Sequence, residues 1–324
     1  MIWLTWRQHR AVLAVTAGFV LALAAWMLLV EHNYSEVQRA IVRSCTTTAL
    51  YSQNSACSVL VRRESSAWGQ ADIIRFVLLA LPLLVGAIFG APLFANELEH
   101  KTIILTLTQT VSRTRWTAIR WLLLGLVTVA LTAVTALVST WWLGHVPTNG
   151  SSFTARIQPE GFDVTGIVPV AYAVFAFALG AVLGIILRRT ARAIFGTVVL
   201  FIASRALFEH YVRAHLVAPI FVPANAGATF PYSGRGWTFS TGYRVAPHSG
   251  HPNSQAYLNH VLAVCSHTGT NVLLCLSQHR VQLGTFLQPA SRYWVLQWGE
   301  GAAYLAATLG LFGVAIWAIR RWKA

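Results

Sequence analysis

Lysine is nearly missing from this chain. Only Lys101 and Lys323 occur, one after His100 and the other after Trp322, so the Gly-x-x-x-x-Gly-Lys-Ser/Thr loop that cradles nucleotide phosphates cannot form. The patterns His-Glu-x-x-His, Gly-x-Ser-x-Gly and Gly-x-Gly-x-x-Gly are also lacking, and with them the usual signatures of zinc proteases, serine hydrolases and dinucleotide binders. Charge is scarce, at 10% of residues, against about a quarter in a soluble domain. Carboxylates are almost absent from the apolar runs, so a proton- or sodium-coupled relay lacks its usual parts. A membrane chain without energy-coupling residues of its own is passive, a scaffold, or driven by a partner.

What remains is apolar: 56% of the residues are hydrophobic and the mean hydropathy is +0.56. This composition predicts an all-α polytopic membrane protein, a single transmembrane domain over 1–324. Crossing the hydrocarbon core takes roughly 20 apolar residues. Six runs meet or approach that length, at 11–30, 73–95, 116–143, 164–187, 191–209 and 296–319. Pro82 and Pro92 should kink the second. The fifth carries Arg205 with Glu209 one turn on, an intramembrane pair able to meet at i, i+4; a snorkelling arginine is the plainer alternative.

The formal charge of +14 raises the question of nucleic acid, since basic patches drive phosphate binding. The arginines close apolar runs instead of lining one polar face, so no nucleic acid is expected and the partner surface is membrane lipid. Their placement also predicts orientation. With the N-terminus inside, segments 1–10, 96–120, 188–192 and 320–324 carry a dense basic load against two acids, Glu97 and Glu99. Arg188-Arg189 and Arg320-Arg321 each directly close a run. The positive-inside rule then gives N-in and C-in in the cell membrane.

MIWLTWRQHR precedes the first run, with Trp3 and Trp6 one turn apart and Arg7 and Arg10 following. That spacing suits a short helix lying in the headgroup layer. Outside lie two large loops: residues 31–72, polar enough to be solvated, and an extracellular subdomain over 210–292, rich in Gly, Pro, Ser and aromatics. Within the latter, Arg213–Val222 is too short to span and contains Pro219, as in segments that dip into a membrane and return. Cys45 and Cys57 share the first loop, and Cys265 and Cys275 the second. This predicts two short-range disulfides in an oxidising compartment, with free thiols as the alternative. His248 and His251 form a His-x-x-His without a carboxylate, too weak a signal for a metal, and no metal is expected.

The inner segment 96–115 begins Asn96-Glu97-Leu98-Glu99-His100-Lys101 and continues as an amphipathic stretch with Ile103, Ile104, Leu107 and Val111 on one face. An ordinary loop is one reading, and a rigid polar handle for another protein is the other. Four stretches favour the handle: WLTWRQHR before the first run, GAPLFANELEHKT closing the second, TQTVSRTRW leading into the third, and RYWVLQWGEGAAYLAATLGLFGVAIWAIRRW at the end. In order and spacing they resemble the permease subunit of a type-2 ABC exporter, particularly the stand-alone permeases of actinobacteria.

The resemblance implies a dimer, homodimeric more readily than heterodimeric, driven by a separate cytosolic ABC ATPase. ATP and Mg would bind to that partner and no cofactor to this non-catalytic chain. It implies that Glu97, Glu99, His100, Lys101 and Thr102 form a coupling helix that docks on the ATPase, with Trp6, Arg7 and Arg10 of the N-terminal helix as the connecting-helix contacts. The two carboxylates would then serve the partner and not this chain's own fold. The family commonly reads Gly-Thr where this chain has Lys101-Thr102, and its outer element between spans five and six is usually more compact. The cargo implied is a small hydrophobic or amphipathic compound, such as a drug, antibiotic, peptide or lipid, leaving the cell. An integral membrane sensor or scaffold whose outer loops bind a ligand is the alternative from another class.

Overall fold

The computed structural model describes residues 2–45, 56–99, 113–145, 156–223, 236–246, 255–267 and 272–321. Six helices among them are long and apolar enough to cross a membrane: Arg10–Arg43, Cys57–Glu99, Ala118–His145, Val168–Leu187, Thr190–His215 and Ala290–Ala318. Each of the six expected runs overlaps one of these helices: 11–30, 73–95 and 191–209 fall inside theirs, while 116–143, 164–187 and 296–319 overrun theirs slightly at one end. The chain is a mostly helical, multi-pass membrane protein.

The helices are α1 (Ile2–Ser44), α2 (Ala56–Gly90), α3 (Pro92–Glu99), α4 (Arg113–His145), α5 (Val168–Leu187) and α6 (Thr190–Leu207). The outer part adds α7 (Gln255–His267) and α8 (Val272–Gln278), and α9 (Tyr293–Arg321) closes the chain. Helix α2 continues through Pro82; the chain breaks at Ala91, and Pro92 opens α3.

Helix α5 is the axis of the bundle, packed on α2, α3, α4, α6 and α9. Its sequence, VPVAYAVFAFALGAVLGIIL, explains why. Lipid tails are as apolar as leucine, so helices in a membrane associate by close packing, which small residues permit. A Cβ on Gly180 would lie 2.8 Å from the Ala91 nitrogen, and one on Gly184 2.7 Å from the Ala91 oxygen. Two residues join α5 to α6: Arg188, left-handed at φ 52°, donates its N–H to Gly184 O at 3.1 Å, and Arg189 is extended.

Three expectations differ from the fold. Residues 1–10 are not a separate interfacial helix: from Ile2 onward they continue into α1 without a break, because neither Gly nor Pro interrupts the stretch. Residues 31–72 are not a loop, since α1 reaches Ser44 and α2 begins at Ala56, and the two helical extensions form a hairpin closed by Cys45–Cys57. Polar side chains zip it: Gln38 Nε2 donates to Glu64 Oε1 at 2.5 Å, while Tyr34, 3% exposed, packs edge-on against Trp68. Arg213–Val222 does not dip and return. It makes one 3-10 turn at Arg213–His215 and then enters strand β1 (Ile220–Pro223).

Strand β1 joins β2 (Gly236–Val245) and β3 (Val281–Pro289) in an antiparallel sheet of order β1-β3-β2. Val245, Leu258, Val261, Leu276 and Val281 form its small core with the helical pair α7 and α8, bonded through Cys265–Cys275. By parity of crossing, this subdomain and the α1–α2 hairpin stand at one end of the bundle, and α3 stands at the other.

Candidate functional site

Where the sheet meets the bundle, four charges and one phenol lie out of solvent. Five separate segments supply them: Asp163 from the turn before α5, Tyr172 from α5, Arg205 from α6, Arg213 from the 3-10 turn, and Glu300 from α9. Arg213 and Glu300 side chains are each 1% exposed and that of Asp163 is 5%.

Local sequence explains how each is held. Pro159 opens a single helical turn, Pro159–Phe162, which delivers Asp163. Gly166 follows at φ +72°, a conformation that only glycine adopts freely. A Cβ there would also meet the Tyr293 hydroxyl at 2.6 Å. Gln297 of α9 then locks the turn. Its Nε2 donates to Phe162 O and Thr165 O at 3.0 and 3.1 Å, and its Oε1 accepts the Ile167 and Val168 N–H groups, both at 3.0 Å. The first turn of α5 is thereby capped by a side chain from another span, satisfying donors that a helix start leaves open.

Within the cluster, Arg213 donates from Nε to Glu300 Oε2 at 2.7 Å. Its Nη2 donates to Glu300 Oε1 at 2.8 Å, to Asp163 Oδ1 at 2.6 Å and to the Tyr172 hydroxyl at 2.9 Å. Arg205 donates to Asp163 Oδ2, and its guanidinium carbon stacks 4.1 Å over the Tyr172 ring. Tyr172 donates to Glu300. Rings of Phe162 and Trp237 lie 4.7 and 5.9 Å from the Arg213 guanidinium carbon. The two guanidinium and two carboxylate charges cancel, which is what makes their burial tolerable.

The pair expected between Arg205 and Glu209 is therefore replaced. Arg205 is taken by Asp163, which lies deeper and is also gripped by Arg213. Reading the sequence missed Asp163, Tyr172, Arg213 and Glu300 as a set, because five separate segments supply the cluster and its contacts reach across as many as 128 positions. The only local signal was a lone carboxylate, Glu300, inside an otherwise apolar run.

Beside the cluster a crevice of about 500 Å³ opens between α2 and α6, lined among others by Phe76, Leu83, Glu160, Ile202, Arg205 and Glu209.

At the α3 end, Glu97 and Glu99 turn out to serve the chain's own fold. Arg120 of α4 binds Glu97, their side chains being 6% and 13% exposed respectively, and Glu99 Oε2 accepts the Thr190 N–H that opens α6, at 3.1 Å. The expectation that these carboxylates are kept for a partner alone is corrected to that extent. His100, Lys101 and Thr102 lie outside the described residues, as do His248 and His251. Trp6 and Arg7 lie in the first turns of α1, with side chains outside the described residues, and Arg10 is exposed. Cys265, Cys275 and His279 lie close together, but both sulfurs are consumed by the disulfide.

The family model described as ABC-2 membrane transporter related matches residues 17–213. The chain belongs to that family. The match runs from α1 to Arg213 and so includes Asp163, Tyr172 and Arg205, whereas the sheet subdomain and Glu300 lie beyond it. Comparison with curated proteins found no match, and comparison with solved structures found none. As an ABC-2 family member with six membrane-crossing helices, the chain is the membrane subunit of a transporter.

Proposed function

We propose that the chain is the membrane half of an ATP-driven exporter, working as a dimer with a separate cytosolic ABC ATPase and moving small hydrophobic or amphipathic compounds outward. The α3 end faces the cytoplasm, and the disulfide end faces outside.

One observation beyond family membership carries this reading. Helix α3 is fixed to three spans at once: through Glu97 to Arg120 of α4, through Glu99 to the first N–H of α6, and by backbone contact to α5. A load applied to the segment that follows α3, which contains His100, Lys101 and Thr102, is thereby passed directly to spans three, four and five. A loop with no mechanical task needs no such anchoring.

The test is purification of the tagged chain from its native membranes, with identification and counting of every companion. The expected result is an ABC-class ATPase in equimolar amount, whose ATP hydrolysis depends on the chain. Recovery of the chain without any nucleotide-binding companion, in mild detergent and in lipid discs alike, would overturn the reading.

A further inference from the structure

The crevice between α2 and α6 has a direction. Spans two and five run antiparallel, so along the crevice Phe76 to Leu83 of α2 runs opposite to Phe201 to Glu209: Phe76 falls toward the Glu209 end, and Leu83, packed on the hydrophobic cluster that contains Phe201, falls toward the Phe201 end. From Phe201 to Glu209 is eight residues, about 12 Å at helical rise. The deep end is therefore apolar, with Leu83, Phe201 and Ile202, and the shallow end carries Glu160 and Glu209.

The charges at the shallow end are unbalanced. Three carboxylates and one guanidinium line the crevice, and the guanidinium, Arg205, is bound to Asp163 and stacked on Tyr172. Glu160 and Glu209 are half-buried, and among the described residues no basic side chain lies within ion-pair distance of either. A carboxylate that is half-buried without a counter-charge is costly to keep ionised, and a cation placed between the two would offset that cost. Coulomb attraction to a cation is also stronger beside an apolar wall than in water.

We propose that this crevice binds amphipathic cations, with the apolar body between α2 and α6 and the positive head between Glu160 and Glu209. The assignment rests on the export reading only for calling the occupant a cargo; binding itself needs no ATPase.

The experiment uses the whole chain in lipid discs, without ATPase, and two probes of one shape and opposite charge, tetraphenylphosphonium and tetraphenylborate. The phosphonium should bind saturably and the borate should not. Glu160→Gln and Glu209→Gln should each weaken phosphonium binding at least about tenfold, the equivalent of 1.4 kcal/mol, with thermal unfolding unchanged. Ile202→Trp, which fills the apolar end without altering charge, should lower phosphonium binding as well. Equal binding of both ions, phosphonium uptake that never saturates, or Gln variants that bind as the native chain does would each sink the site. Cation binding by a chain that never recruits an ATPase would instead sink the export reading and leave this site standing. Export by a chain blind to the charge of the probe would do the reverse.

Discussion

Arg213 and Glu300 are 87 positions apart, yet two hydrogen bonds of 2.7 and 2.8 Å join them where neither side chain is more than 1% exposed. Removing one partner of a buried pair leaves the other charge stranded, at a cost of about 3–5 kcal/mol. Glu300→Ala should lower stability by that amount. Arg213→Met combined with Glu300→Leu should cost less than the sum of the two single changes, since the interaction is removed whole. Thermal unfolding in lipid discs, read by intrinsic tryptophan fluorescence, measures both.

At the opposite end, Glu97 and Glu99 should behave differently from one another. Glu97→Ala takes this carboxylate from the buried Arg120, with an expected loss of about 3 kcal/mol. Glu99→Ala removes the exposed acceptor of the Thr190 N–H, and losing that bond is a change of about 1 kcal/mol. If ATPase recruitment is compared at equal amounts of folded protein, Glu99→Ala is the cleaner probe of coupling. Glu97→Ala confounds coupling with stability.

Packing around α5 makes a third prediction. Since a Cβ on Gly180 would sit 2.8 Å from the Ala91 backbone nitrogen, Gly180→Val must push α2 and α3 away from α5. The expected outcome is loss of folded protein from the membrane, by about 3 kcal/mol or more of overpacking. Gly310→Val is the control, because nothing lies within 4 Å of a Cβ there. Quantitative size-exclusion of detergent extracts separates the two.

Sidedness is tested with single cysteines in a chain whose native cysteines are replaced. Ser266→Cys lies exposed in α7, and Arg320→Cys lies exposed at the far end of α9. A membrane-impermeant maleimide should label position 266 on intact cells and position 320 only after permeabilisation. The reverse pattern would turn the whole arrangement over.

The six spans were legible because a run of some twenty apolar residues is a local property, complete within one stretch of sequence. The long extensions of α1 and α2 were not, because Tyr34, Gln38, Glu64 and Trp68 look polar or isolated until the two helices lie side by side. The sheet was hidden for a similar reason: β1 ends at Pro223 and β3 begins only at Val281, so Ile220 finds Leu287 with no tight turn between them to announce it. The charge cluster shows the limit most clearly. Arg205 has a carboxylate one turn away in Glu209, and local reasoning selects it, whereas the folded chain offers Asp163, already desolvated and already held by a second arginine.

The 43 residues of α1 amount to about 65 Å of helix, whereas the hydrocarbon core is only about 30 Å thick. Much of that length is therefore an arm standing clear of the bilayer and bound at its tip to α2 by Cys45–Cys57. An arm of about 25 Å turns a rocking of 10° at its base into a swing of roughly 4 Å at its end, by the geometry of a rigid helix. The hairpin thus works as a pointer: small rotations of the first two spans, hard to observe within the membrane, are magnified where a pair of surface probes can read them.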